Sequence, residues 1–170
     1  EPDPAEAAIR AINRFNVAQR QALREQLGSM DPYRFEQLVG DLLEAMGYGD
    51  VEVTKASGDK GVDVVATVQF GITTVKEVVQ VKRHQGSITR QILDQLRGAL
   101  PLHGAIRGTI ITLGKFSSGC KEAAVFPGAA PISLIDGERL LDLLVEHEIG
   151  MKERPARLYE LDAEFFEQTE

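Results

Sequence analysis

Residues 62–83 read VDVVATVQFGITTVKEVVQVKR. Two runs rich in β-branched residues, 62–68 and 74–81, flank the dipeptide Gly71-Ile72, and this pattern reads as a β-hairpin. Glycine followed by any residue marks a two-residue type II′ turn, whose first central position takes φ > 0. A turn closed by Gly71-Ile72 places Asp63 opposite Gln80. Lys82, two residues beyond Gln80, then shares its face. One hairpin thus presents Asp63, Gln80 and Lys82 together. A slip of one residue would send Asp63 to the other face, so the grouping depends on the turn.

The rest of the chain organises around this hairpin. Residues 5–27 lack internal Gly and Pro and carry a loose apolar stripe of Ala8, Ile12, Phe15, Ala22 and Leu23, which favours a helix ended by Gly28. Asp31-Pro32 is a helix start, a capping side chain followed by a ring with φ preset for the first turn. That second helix runs to about Met46, with Phe35, Leu38, Val39, Leu42, Leu43 and Met46 on one side. Residues 51–55 alternate as a short strand, and Ser57-Gly58-Asp59-Lys60-Gly61 is a turn. After the hairpin come a helix over 88–102, a buried strand over 108–113, a short helix over 118–125, a strand over 132–135 and a helix begun near Asp136. Strands first and helix–strand units after them predict an α/β domain with a mixed β-sheet flanked by α-helices. Residues 151–170 are expected as a tail whose Leu158, Leu161, Phe165 and Phe166 pack on the domain.

Composition narrows the function classes. The chain has 170 residues, 43% of them hydrophobic, which suits one folded domain. A single cysteine, Cys120, excludes an internal disulfide framework and fits a reducing compartment. The three histidines lack zinc-ligand spacing, and the glycine turn at 57–61 lacks the G-K-[S/T] of a nucleotide-hydrolysing loop. No apolar run approaches the roughly 20 residues of a membrane span. The formal net charge of −7 argues at first against nucleic acid. The charge is uneven, however. Residues 76–107 hold six basic and two acidic residues, net +4, whereas 134–170 hold four and eleven, net −7.

The hairpin residues suggest chemistry. A strand inside an α/β sheet is usually apolar on both faces near its middle. Gln80 and Lys82 either lie beyond the sheet edge and meet water, or they serve a site. A hard cation such as Mg²⁺, with Mn²⁺ as a substitute, takes oxygen ligands. The Asp63 carboxylate, the Gln80 side-chain oxygen and the Val81 main-chain carbonyl supply such ligands. Lys82 would position or deprotonate a water and offset developing negative charge. Glu36 is a candidate second carboxylate, or else an ordinary exposed helix acid. Arg83 and His84, directly after this strand, suit phosphate contacts. Lys115, Ser117 and Ser118 stand at a helix start that either holds a phosphate or is simply capped by a serine hydroxyl. Arg97 reads as a salt-bridging helix residue.

The strings Phe35-Glu36-Gln37-Leu38-Val39, Ser57-Gly58-Asp59-Lys60-Gly61-Val62-Asp63 and Val79-Gln80-Val81-Lys82-Arg83 together resemble the catalytic domain of the Mrr-type restriction endonucleases. That family is the Q-x-K variant of the PD-(D/E)xK nucleases. The resemblance continues through Leu96-Arg97-Gly98-Ala99, Ile110-Ile111-Thr112 and Leu134–Leu140, over about residues 30–166. It implies a restriction-endonuclease-like core and Mg²⁺-dependent hydrolysis of phosphodiesters in double-stranded DNA, methylated or foreign DNA above all. It carries catalytic roles to Asp63, Gln80, Lys82 and Glu36, and metal roles to Asp63, Gln80, Val81 and Glu36. The expected DNA contacts are Gly58, Lys60, Arg83, His84, Lys115, Ser117 and Ser118. Lys60 departs from the glycine frequent at its position, and Lys115-Phe116-Ser117 departs from the usual Gly-Phe-Thr or Gly-Phe-Ser.

The resemblance also implies an organisation. Residues 1–29 form an N-terminal helix or linker, 30–150 the nuclease domain and 151–170 the tail. A separate N-terminal DNA-recognition domain is expected outside this chain, which begins at Glu1 rather than Met. A homodimer or higher homo-oligomer is expected for cutting both strands, along with a prokaryotic cytoplasmic location and no membrane partner. Two other functions fit the same residues: a non-catalytic DNA-binding or assembly module, and a nuclease directed at RNA or DNA junctions. With so acidic a chain, DNA binding is expected to be weak except with a divalent metal or at low salt.

Overall fold

The computed structural model describes residues 1–54 and 61–167. The turn expected at 57–61 therefore lies, apart from Gly61, outside the described residues, as do Gly58 and Lys60. Six α-helices and seven strands are present among the described residues. In order they are α1 (Pro4–Ser29), α2 (Pro32–Ala45), β1 (Gly49–Val53), β2 (Val64–Phe70), β3 (Thr73–Lys82), β4 (Ser87–Ile88) and α3 (Arg90–Ala99). A 3-10 turn (Leu100–His103) follows, then β5 (Arg107–Thr112), β6 (Lys115–Phe116), α4 (Ser118–Ala124), β7 (Ile132–Ile135), α5 (Gly137–Glu146) and α6 (Ala163–Glu167).

The hairpin forms in the register that Gly71-Ile72 requires. Phe70 pairs with Thr73 and Val64 with Val79, so the positions of Asp63 and Gln80 face one another. Gly71 has φ +59, the conformation a glycine adopts without strain. β2 and β3 are antiparallel, as are β1 and β2, whereas β5 and β7 run parallel to β3. The five-stranded order is β1-β2-β3-β5-β7. The mixed sheet and the antiparallel start are thus as expected.

Helices cover both faces. Against one face, Phe35, Val39 and Leu42 of α2 and Leu140, Leu141 and Leu144 of α5 pack on Val64, Ala66, Val79 and Ile111. Against the other, Leu93 and Leu96 of α3, Leu100 and Cys120 pack on Val62, Val78, Ile110 and Ile132. Phe35, Val39, Leu42, Leu93, Leu96 and Leu140 are entirely inaccessible to solvent. Each such side chain contributes about 1.5–3 kcal/mol through removal from water. Asp31 caps α2 as the sequence predicts, accepting from the Tyr33 and Arg34 amides at 3.1 Å.

Four local expectations are corrected. The helix expected from Ile88 starts only at Arg90, because Ser87 and Ile88 pair in parallel with Lys115 and Phe116. In α1 only Leu23 and Leu27 are buried, while Ile12 and Phe15 are exposed, because the helix overhangs the domain for most of its length. The described part of the tail does not pack: Leu158, Leu161, Phe165 and Phe166 are 57–77% exposed, and among the described tail residues only Met151 reaches the core. The charged and proline-interrupted stretch Lys152–Arg157 separates those apolar groups from the sheet. Arg97 forms no salt bridge among the described residues. It donates to the Ala130 and Ala123 carbonyls, at 3.0 and 2.9 Å, and so ties α3 to the end of α4. Among the described residues no helix is long and apolar enough to cross a membrane.

Candidate active site

The ladder between β2 and β3 ends in a side-chain contact. Beyond the Val64–Val79 pair, the Val81 N–H would normally reach a main-chain carbonyl across the hairpin. Instead it donates to the Asp63 carboxylate, Oδ2, at 2.7 Å. The Val62 carbonyl is already engaged by the Thr54 hydroxyl at 2.8 Å. Asp63 itself is fixed from both sides. Its N–H donates to the Val79 carbonyl at 2.9 Å, and its carbonyl accepts from the Thr54 N–H at 2.9 Å. The carboxylate therefore stands on backbone held by two strands.

Gln80 lies beside it. The side chain is 3% exposed, and Oε1 is buried without a hydrogen-bond partner among the described residues. An orphaned buried amide oxygen costs free energy of about 1–3 kcal/mol. Gly61, with φ +90, backs the amide; a Cβ there would lie 3.4 Å from Gln80 Nε2. Lys82 follows on the same face, partly buried, and its charge acts on Asp63.

Glu36 joins from the other side of the sequence. It sits in the second turn of α2 and lines the same cleft as Asp63. Burial, the Asp63 charge and the hydrogen bond to Asp63, with a smaller contribution from Asp31, push Glu36 up from 4.5 to about 7. Burial likewise raises Asp63, against the pull of the Val81 N–H, the Lys82 charge and the hydrogen bond with Glu36. Two carboxyls in one cleft, each resisting ionisation, have a use where a cation neutralises both.

These groups line one cleft of about 610 Å³, with Gly61, Asp63, Gln80, Val81 and Lys82 on the strand side and Glu36 contributed by α2. The opposing wall is α3 and its 3-10 continuation, through Gln95, Gly98, Ala99 and Leu102. That wall was missed by sequence reasoning. The signal available was a helix face with polar Gln95 and a mid-helix glycine beside the apolar Leu93–Leu96 side.

The donor set fits a hard divalent cation. It offers two carboxyls, an unpartnered amide oxygen and a main-chain carbonyl, all oxygen ligands. Among the described residues no cluster of three His, Cys, Asp or Glu side chains that could hold a metal is found, so the set rests on the amide and main-chain oxygens beside the two carboxyls. Cys120 is buried, and burial pushes its thiol up, so it is poorly placed as a nucleophile.

The expected DNA contacts separate. His84 and Lys115 are exposed, Lys115 beside the β4–β6 pair that follows the Lys82 strand. Arg83 is tied into the fold, donating to the Gly28 carbonyl at 2.6 Å. Ser117 caps α4, accepting from the Cys120 N–H at 3.1 Å, while Ser118 begins the helix and is exposed. Most of the basic block is likewise engaged internally. Arg107 bonds the buried Glu77 at 2.9 Å and Arg90 pairs with Asp94 at 3.3 Å. The +4 count of residues 76–107 is therefore not a basic surface of that size.

A mixed five-stranded sheet covered by helices, with carboxylate, amide and lysine gathered at the end of an antiparallel hairpin, defines a domain of the restriction-endonuclease-like fold. Within that class the chain belongs to the Mrr restriction endonuclease family, whose catalytic-domain model, described as restriction endonuclease, matches residues 27–144. The chain is 33% identical over 169 residues to the type IV methyl-directed restriction enzyme EcoKMrr of Escherichia coli (strain K12), covering 96% of this chain and 54% of that protein. It thus spans about half the length of this curated relative. Among solved structures it resembles the DNA modification-dependent restriction endonuclease AspBHI, with a TM-score of 0.63 and 17% identity over 79% of this chain and 36% of that one. It also resembles the MspJI restriction endonuclease in complex with a 27-mer oligonucleotide, with a TM-score of 0.61 and 23% identity over 75% of this chain and 30% of that one. At these identities the structural likenesses establish the fold.

Proposed function

We propose that this chain is the cleavage domain of a Mg²⁺-dependent endodeoxyribonuclease directed at modified, above all methylated, DNA. The observation that carries the reading is the Gln80 Oε1, buried and unpartnered among the described residues, in one cleft with the Asp63 and Glu36 carboxyls. Asp63, Gln80, Glu36 and the Val81 carbonyl would hold the cation, which supplies an acidified water and neutralises charge on the phosphate. Asp63 keeps its aim because the Val81 N–H fixes one carboxylate oxygen, leaving the other for ligation. Lys82 sets a positive charge beside Asp63, where it stabilises the negative charge developing on the phosphate and orients the attacking water. His84, Lys115 and Ser118 are the exposed candidates for phosphate contacts. Hydrolysis of both strands needs two such sites or two events, so a homo-oligomer accompanies this reading. The modification-directed substrate is supported by the likeness to EcoKMrr, a methyl-directed restriction enzyme, and to AspBHI, a DNA modification-dependent one.

The test is a side-by-side cleavage assay on methylated and unmethylated plasmid, DNA junctions and RNA, with Mg²⁺ or Mn²⁺. Metal-dependent plasmid cleavage that Asp63→Ala and Lys82→Ala each abolish is expected. Full activity in either variant would sink the reading. Preferential cutting of RNA or junctions would redirect it, and DNA binding without cleavage under both metals would favour an assembly module.

A further inference from the structure

Gly98 meets no packing constraint among the described residues. It occupies the last turn of α3, where glycine lowers helix stability relative to alanine. Some glycines of this chain are explained by crowding, whereas Gly119 of α4 shares the open surroundings of Gly98 but lies away from the cleft. A Cβ at Gly114 would lie 2.0 Å from the Gly86 carbonyl oxygen, and one at Gly137 would lie 2.1 Å from that of Leu113. At Gly98, apart from its chain neighbours and its own helix backbone, no heavy atom of the described residues comes within 4 Å of the Cβ position. Its φ is not in the left-handed region that favours glycine, so it does no work as a turn or a C-cap. What Gly98 does share is the cleft, whose α3 wall it forms together with Gln95 and Leu102. The same cleft contains Gln80 Oε1, which is buried and has no hydrogen-bond partner among the described residues.

We propose that Gly98 is a clearance residue: it leaves room on α3 for the sugar–phosphate backbone of a nucleic-acid strand to pass close to the helix and reach Asp63, Gln80 and Lys82. This rests on the nuclease reading of the cleft. The flanking residues suit such a strand. Gln95 is an exposed amide able to donate to phosphate or sugar oxygens, and Leu102, 84% exposed, offers an apolar surface to a deoxyribose. A strand lying against a helix loses contact if a side chain lifts it by even a carbon or two, because the reacting atoms sit at near-contact distances.

The experiment compares Gly98→Ala and Gly98→Leu with wild type in three readouts. They are thermal melting, the Mg²⁺-induced shift in melting temperature, and affinity for a fluorescently labelled duplex at low salt with Ca²⁺ in place of Mg²⁺. Gly98→Ala is expected to raise the melting temperature by about 1–4 °C. It should weaken duplex affinity several-fold. Gly98→Leu projects into open space and folds, yet should lose tenfold or more in affinity and, in cleavage, raise KM more than it lowers kcat. The Mg²⁺-induced shift should stay as in wild type for both. Asn16→Ala, on the exposed overhang of α1, controls for stabilisation alone and should leave affinity unchanged. Wild-type affinity and cleavage in Gly98→Leu would overturn the inference. If wild type binds duplex but cleaves nothing under Mg²⁺ or Mn²⁺, the nuclease reading fails, while the Gly98 affinities still decide clearance. If wild type neither binds nor cleaves, both are overturned.

Discussion

Glu36→Gln should stabilise the protein and disable it at once. In the folded state Glu36 titrates near 7, against 4.5 for the unperturbed group, because burial and Asp63 oppose its ionisation. An acid raised on folding is most favourable to the native state below its unfolded value. Between 4.5 and about 7 the folded protein retains a proton that the unfolded chain has released, so stability falls through that window and stays reduced above it. Glutamine never ionises and so escapes the loss. The full difference between the two values corresponds to roughly 3 kcal/mol. Water reaching a partly exposed carboxyl screens this to on the order of 1 kcal/mol. For a chain of this length that is about 2–4 °C in melting temperature. The assay is thermal melting of wild type and Glu36→Gln in chelator, from pH 4 to pH 8.5. The variant should match wild type at the acid end and exceed it by that margin at pH 8. In Mg²⁺ at tenfold excess over its Kd, wild type should gain about 1.4 kcal/mol, and the variant much less. An advantage independent of pH, or none at pH 8, would refute the coupling of Glu36 to Asp63.

Other outcomes follow from the same geometry. Asp63→Ala and Lys82→Ala should each reduce cleavage by at least about a hundredfold while leaving the far-ultraviolet circular dichroism spectrum unchanged. Since both carboxyls must lose their protons to hold a cation, apparent Mg²⁺ affinity by calorimetry should rise with pH through about 7, with proton release that diminishes above it. Gly61→Ala forces a φ of +90 on an L-residue beside Gln80 and should lower stability by about 1–2 kcal/mol in urea titration. Glu77→Ala strips the partner from Arg107 and Thr109, bonded at 2.9 and 3.0 Å, and should cost about 3 kcal/mol in the same titration.

Periodicity and turn chemistry made the hairpin legible. A two-residue turn at Gly71-Ile72 admits only one register, and that register aligned Asp63 with Gln80. Local signals likewise marked the Asp31-Pro32 start and the strand at Ile132–Ile135. Contacts between distant parts of the chain were not legible. Glu36 meets Asp63 from another element, so its raised pKa depends on how α2 lies across the sheet. The basic residues looked like a surface because sequence counts charges without their partners. Arg83, Arg97 and Arg107 each proved committed to a carbonyl or a buried carboxylate. The tail and the overhang of α1 misled for a related reason: apolar residues at helical spacing say what is able to be buried, not what stands near enough to cover it.

The anchorage of α1 gives the molecule a lever. Twenty-six residues make a rod of roughly 39 Å. Only its last turns are fastened, by Leu23 and Leu27, by Arg20 and Arg24 to Glu138, and by Arg83 gripping the Gly28 carbonyl. Arg83 is the residue directly after Lys82. A load applied at Pro4 acts through a long arm on a short fulcrum, and the fulcrum adjoins the strand that carries the lysine of the candidate site. The anchorage of this helix thus lies within one residue of Lys82, whereas the described part of the C-terminal tail meets the core at Met151.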